Sequence, residues 1–236
     1  MRSRHGRAAR FALAQITPIL FEFVFVGLAA GILLHQAGYG PVWAFVSALF
    51  IYAGSMQIVM VPFMQAGMPL YALAAMTFFI NARHMFYGIG FVDRFRRMGP
   101  VRYVYMALTV TDETYSVLCS RQCPAEVEPD LADFYINFMA HMCWVASCTL
   151  GAVTGELLPV DMAGIEFSAT AFFITVVLNQ WKQLPSHIPA LTGLVSALLF
   201  YFLLGPDNFI LPALAASMVA LMLLRDRIEK ERTEHA

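Results

Sequence analysis

Leu70-Tyr-Ala-Leu-Ala-Ala-Met-Thr-Phe-Phe-Ile80 runs straight into Asn81-Ala82-Arg83-His84-Met85-Phe86-Tyr87, and Gly88 to Val92 then resumes the apolar run. Arginine and histidine have no ordinary place inside such a stretch. A charged side chain near a bilayer centre costs at least about 2.5–3.5 kcal/mol, so it must face protein, water or substrate. Two other places share this character. Asp112-Glu113 lies within the run Tyr103 to Leu118, and Glu22 lies within Ile16 to Leu34. These three places carry most of the charge found inside apolar runs.

The surrounding chain explains why those runs are read as membrane segments. Of its 236 residues, 59% are hydrophobic and 13% are charged. A soluble domain carries roughly 25% charged residues to cover its surface. The mean hydropathy is +0.65. Twenty phenylalanines and fourteen methionines suit lipid-facing and adaptable interior surfaces. A net charge of −1 gives no footprint for nucleic acid. Cys119, Cys123, Cys143 and Cys148 have neither metal-site nor disulfide-framework spacing, and read as structural. No HExxH, phosphate loop, GxSxG or CxxC occurs, so no cofactor is expected and ATP cannot drive the chain directly.

The expected fold is an all-α polytopic membrane protein with about eight hydrophobic segments. They lie near 16–34, 42–64, 70–92, 103–118, 134–153, 167–181, 190–204 and 209–224. The whole of 1–236 reads as one transmembrane domain, with basic tails at 1–11 and 225–236. Two four-segment repeats, about 12–118 and 134–224, are suggested by matched residues. Ala48…Gln57…Pro62 aligns with Ala171…Gln180…Pro185, and Gly27-x-x-x-Gly31 with Gly151-x-x-x-Gly155. Arginines crowd both tails and the loop Asp93 to Arg102, which places all three on the cytoplasmic side. That is possible if segments two and three together cross once, through a broken or re-entrant helix near Gln57–Pro69. The equivalent break would fall near Gln180–Pro189. Each repeat then crosses an odd number of times, so the repeats are expected to be inverted.

Candidate pathway residues follow from burial cost. Glu22 is the acid of the first span, either near its interface or a proton or ammonium site. Arg83 either pairs with Asp112 or recognises a carboxylate with its guanidinium fork. His84 titrates near physiological pH when unperturbed. Asp112 and Glu113 point about 100° apart on a helix, so one can pair while the other carries a proton. Gln57, Gln180 and Asn81 can hydrogen-bond inside a bundle, while Asn137 and His141 read as packing and hydrogen bonding. An intramembrane enzyme built on Asp112, Glu113 and His84 lacks a nucleophile or metal set. A pore for small solutes is the main alternative to a carrier.

Three motifs carry a family resemblance. Tyr52-Ala53-Gly54-Ser55-Met56-Gln57, then Asn81-Ala82-Arg83-His84-Met85-Phe86-Tyr87-Gly88, then Thr111-Asp112-Glu113, in that order and spacing, resemble the AzlC family. The likeness covers roughly residues 12 to 224. It implies the large subunit of a bacterial inner-membrane exporter of leucine, isoleucine and valine, extending to methionine. It also implies a small hydrophobic partner of the AzlD type. One departure is Glu22, where the family has a small residue, often glycine, after the early proline. It bears on substrate identity or ion coupling.

Overall fold

The computed structural model describes residues 4–65, 67–157, 171, 174, 177–178, 181–182, 186–205 and 209–234. Side chains at 83, 85, 86, 88, 229 and 231–234 lie outside that description. All regular structure among the described residues is α-helical. Chain contacts divide the protein into two compact units, Met1–Gly67 with Ile80–Ala169, and Met68–Phe79 with Thr170–Ala236.

The first unit is built on two long helices, α1 (Arg4–Gln36) and α8 (Pro129–Leu157). Both are long and apolar enough to cross a membrane. They lie side by side and run in the same direction. Arg4 bonds Glu128 at 2.6 Å, His5 meets Tyr135 at 3.1 Å, and Phe23 packs on Trp144 at 5.4 Å. Farther along, Gly27 sits against Ser147, Gly31 against Cys148 and Ala152, and Gly155 against His35. The small residues are what permit this closeness. A Cβ on Gly31 would fall 2.0 Å from the Cys148 carbonyl oxygen, and one on Gly151 would fall 2.2 Å from that of Leu28. The two GxxxG motifs matched by sequence therefore pack on each other. This is the small-xxx-small contact that lets membrane helices approach closely.

That parallel pairing corrects one expectation. Inverted repeats would start at opposite ends, whereas α1 and α8, which open the two repeats, start at the same end. The chain breaks twice in this region. It turns at Ile51–Ala53, after α2 (Pro41–Phe50), and again after α3 (Gly54–Gln65), within the expected Gln57–Pro69 stretch and before the next helix begins at Leu70, while Gln57 and Pro62 themselves lie inside α3. Ala44 of α2 and Val61 of α3 share one cluster with Leu34 and Ala152, while the turn lies near His141 and Trp144. So α2 descends along α8 and α3 returns beside it. With 10 and 12 residues they rise about 15 and 18 Å, roughly half a hydrocarbon core of about 30 Å. The second half-repeat's expected break lies partly outside the described residues. Gln180 and Pro185 are among those outside, and Pro189 opens the helix that begins at Ile188.

The segment expected at 103–118 is likewise two half-length helices, α6 (Pro100–Thr109) and α7 (Asp112–Ser120). Along α8, α6 climbs from Phe134, which stacks under Arg102, to His141, which meets Tyr105. α7 then returns until Arg121 bonds Asp133. This hairpin enters from the end of the unit opposite to the α2–α3 hairpin. Between them, α4 (Leu70–Gly90) and the short α5 (Val92–Arg96) bring Phe91 and Phe95 to Ala12, Ile16 and Leu118. The basic loop after α4 therefore shares its end of the unit with the N-terminal arm, and the charge conflict seen in the sequence disappears without inversion.

In the second unit, α9 (Ile188–Leu204) and α10 (Ile210–Leu223) pack together, with Tyr201 edge-on to Phe209 at 5.4 Å. Phe202, Leu203, Met222 and Leu223 are exposed, as lipid-facing residues are. A polar helix, α11 (Arg225–Glu234), follows.

Candidate functional site

The tips of the two hairpins meet near the middle of α8, at His141. Its Nε2 lies 3.2 Å from the Leu49 carbonyl oxygen, and its Nδ1 lies 3.1 Å from the Tyr105 hydroxyl. A carbonyl only accepts, so Nε2 carries the proton and Nδ1 accepts from Tyr105. One neutral imidazole thus ties the end of α2 to α6. Its ring also packs on Tyr52 at 4.3 Å between centroids.

Tyr52 forms the first tip. Its φ of 41° is the positive value found at a residue other than glycine among those described. Such a conformation costs on the order of 1–3 kcal/mol and persists where surroundings impose it. Its hydroxyl is buried and has no hydrogen-bond partner among the described residues. Gly54 follows because a Cβ there would come within 3.0 Å of the Trp144 ring. Gln57 is spent on the same contact. Its Oε1 accepts from Trp144 Nε1 at 2.8 Å, and its Nε2 donates to Ser47 Oγ at 3.2 Å. A small cleft, with room for about one water molecule, adjoins this pair and is lined by Ala30, Gly31, Ala44, Met60 and Cys148 together with Ser47 and Gln57 themselves.

Val110 and Thr111 form the second tip. Thr111 caps α7 in a capping box with Thr114. Asp112 and Glu113 are therefore the first turn of a half-helix, where the positive end of the helix dipole favours acids. Glu113 lies within electrostatic reach of both Glu22 and Tyr52, which draws together acids about ninety residues apart. His84 Nε2 is 3.8 Å from Asp112 Oδ1, so His84 is one neighbour of this acid. The Arg83 side chain and Gln180 lie outside the described residues. The Asn81 Oδ1 is buried without a hydrogen-bond partner among those described. Glu22 itself is exposed on α1.

The sequence reading missed Asp133, which is 0% exposed. Both its oxygens are held by Arg94, and Arg121 adds a further bond. It also missed the roles of Tyr52 and Tyr105 and the linking role of His141. A signal for Asp133 was present. Asp133, Asn137 and His141 recur every four residues, which lines one face of α8 with buried polar groups.

Comparison with known proteins agrees with the motifs. Residues 18–158 match the family described as AzlC protein. A Bacillus subtilis protein named "Branched-chain amino acid transport protein AzlC" is 34% identical, over 97% of this chain and 90% of its own length. The chain belongs to the AzlC family. The chain is also similar to an "Uncharacterized membrane protein" of Helicobacter pylori, 33% identical over 94% of this chain and 97% of its own. "Inner membrane protein YgaZ" of Escherichia coli is 25% identical over 70% of each chain. No solved structure matches the chain. The family match runs to the end of α8, so it encloses both hairpins and every described residue of the tip cluster.

Proposed function

We propose that this chain is a secondary transporter that exports branched-chain amino acids across the bacterial inner membrane, coupled to protons and working with a small hydrophobic AzlD-type subunit. The observation that carries the reading is the meeting of two half-helix hairpins, from opposite ends of the first unit, at His141. Transporters bind substrate and coupling ions where discontinuous helices end near the midplane. Exposed backbone polar groups at such breaks are tolerated where protein or a cavity shields them. The four helix ends supply both signs of partial charge for a zwitterion.

The shared end of Arg4 and the basic loop Arg94–Arg102 supports a cytoplasmic N-terminus. Glu113, near Glu22 and Tyr52, is the proton carrier in this reading, and Asp112 with His84 its neighbour. The reading is of a carrier rather than an enzyme. It is tested by reconstituting the chain in proteoliposomes, with and without the partner, and following labelled leucine entering vesicles loaded with unlabelled leucine. Saturable exchange that a pH gradient drives uphill is expected, with the uphill component lost in Glu113→Gln. Exchange that does not saturate would mean a pore, and uphill transport surviving Asp112→Asn with Glu113→Gln would exclude the acids as carriers.

A further inference from the structure

Two buried polar atoms beside His141 have no hydrogen-bond partner among the described residues. The Tyr52 hydroxyl belongs to a side chain that is 6% exposed, and the Asn137 Oδ1 to one that is 0% exposed. Buried polar groups are otherwise nearly always satisfied, and one left bare costs roughly 1–3 kcal/mol. The pair is local. Tyr52 stacks on His141 at 4.3 Å. Asn137 is one helical turn before His141 on α8, and its Nδ2 donates to Met106 Sδ at 3.6 Å. That bond leaves Oδ1 as a pure acceptor. Thr111 approaches the Tyr52 hydroxyl from the start of α7 without meeting hydrogen-bond geometry.

The electrostatics choose the ligand's sign. Tyr52 stacks on His141, and its other ionisable neighbours are Glu113, Tyr105 and Cys143. His141 spends both ring nitrogens on Leu49 and Tyr105, and the ionised forms of the other three are all anions, so the charge they can offer is negative. Asn137 adds a carbonyl oxygen, and the Tyr52 oxygen can accept as well. A carboxylate would meet a bare acceptor and a like charge here. A primary ammonium has three donors, and meets two acceptors with a carboxylate nearby.

We propose that Tyr52 and Asn137 seat a primary ammonium group, the amino end of an amino-acid substrate, at the junction of the two hairpins. This rests on the transport reading only for its natural ligand, since the seat would take an aliphatic amine that has no carboxylate. The amine end then specifies where substrate lies, and the carboxylate is bound elsewhere along the pathway.

The test is direct binding to the full chain in nanodiscs, with empty nanodiscs as the baseline, using isoamylamine and 4-methylvalerate as the two half-ligands of leucine. Isoamylamine is expected to bind saturably, and to bind at least five-fold more weakly to Tyr52→Phe and to Asn137→Leu. The affinity for 4-methylvalerate, whatever its value, is expected to be the same in wild type and both variants. Asn137→Leu removes a buried polar group whereas Tyr52→Phe deletes one oxygen, so Tyr52→Phe alone decides if only it is monodisperse. Absent amine binding, amine affinity unchanged in Tyr52→Phe, or a loss confined to the carboxylate would each overturn the seat. Leucine counterflow, measured separately, reports on the transport reading. Amine binding without leucine exchange would retain the seat and discard leucine as cargo.

Discussion

Arg94 grips Asp133 through two parallel hydrogen bonds, Nε to Oδ2 at 2.5 Å and Nη2 to Oδ1 at 2.7 Å. Arg94 comes from the basic loop after α4, and Asp133 from the first turns of α8. Arg121 bonds the same carboxylate from the end of α7, and Arg94 Nη1 also donates to the Leu118 carbonyl at 3.0 Å. One buried acid therefore ties three helices at a single end of the first unit. Asp133→Ala leaves two guanidiniums facing each other with no carboxylate. Breaking a buried pair in this way costs about 3–5 kcal/mol. The expected outcome is a large fall in the thermal midpoint of purified protein, or failure to accumulate in the membrane. Arg94→Lys keeps the charge but cannot match both oxygens, so its loss is expected to be smaller. Equal midpoints for wild type and Asp133→Ala would show that the pair contributes nothing.

The contact of α1 with α8 sets a second expectation. A Cβ on Gly31 would overlap the backbone of α8, not a side chain that can swing away. Gly31→Ala and Gly151→Ala should each force the helices apart and cost at the upper end of the roughly 1–3 kcal/mol typical of overpacking. Gly193→Ala, with open space around it, is the control and should stay near wild type. The check is the melting temperature by fluorescence-detected size exclusion.

Much of this architecture was legible before any coordinates. Apolar runs marked most helices, and the Gly27/Gly31 and Gly151/Gly155 match marked the two helices that pack together. The direction of the second repeat was not legible, for two physical reasons. Arg94 was counted among free loop charges, whereas Asp133 takes it up. One break was expected at Gln57–Pro69, where α3 does end at Gln65, but a second and earlier one was not. That earlier turn, Ile51-Tyr52-Ala53, is apolar and carries its signal in the backbone, as a positive φ at Tyr52. Pro62, by contrast, sits inside α3. At the site, the Glu22–Glu113 proximity could not be read from the sequence because it depends on how α7 folds back. The bond of Gln57 to Trp144 could not be read from the sequence because the two are 87 residues apart.

Gln57 is accordingly expected to behave as a structural residue. Gln57→Leu removes the acceptor of a buried indole N–H, which costs roughly 1–3 kcal/mol. Trp144 emission should change and the melting temperature should fall, while the KM for exchange by the folded fraction stays within two-fold of wild type. A KM rise of ten-fold or more at unchanged stability would return Gln57 to the substrate pathway.

Cys123 offers a pH-dependent readout at the Asp133 end. It lies in the loop between α7 and α8, where Arg121 Nη1 contacts its sulfur. Partial burial pushes its thiol above the ordinary value, Asp133 adds to the rise, and Arg121 and Arg94 oppose it. The thiolate is the reactive form, so a raised thiol is less ionised at neutral pH. In a Cys119→Ser background, a water-soluble alkylating reagent should therefore label Cys123 slowly at pH 7 and faster as pH rises through and beyond the ordinary thiol range. Arg121→Ala removes an opposing charge and should push the profile to still higher pH. A rate that is flat between pH 7 and 9 would contradict the assignment.

The parallel start of α1 and α8 can be tested without a structure. Arg4 and Glu128 are joined at 2.6 Å across their side chains, so cysteines at both positions lie within reach of a short bifunctional maleimide. Inverted repeats would put the first turns of these helices at opposite ends, separated by about 40 Å for helices of this length. A double cysteine variant, Arg4→Cys with Glu128→Cys in a background without native cysteines, should cross-link efficiently within one chain. Arg4→Cys paired with Gly155→Cys should not, because Gly155 lies beside His35 at the far end of α1. The reverse pattern, with cross-links only in the second pair, would restore inversion and remove the parallel contact on which the hairpin arrangement is built.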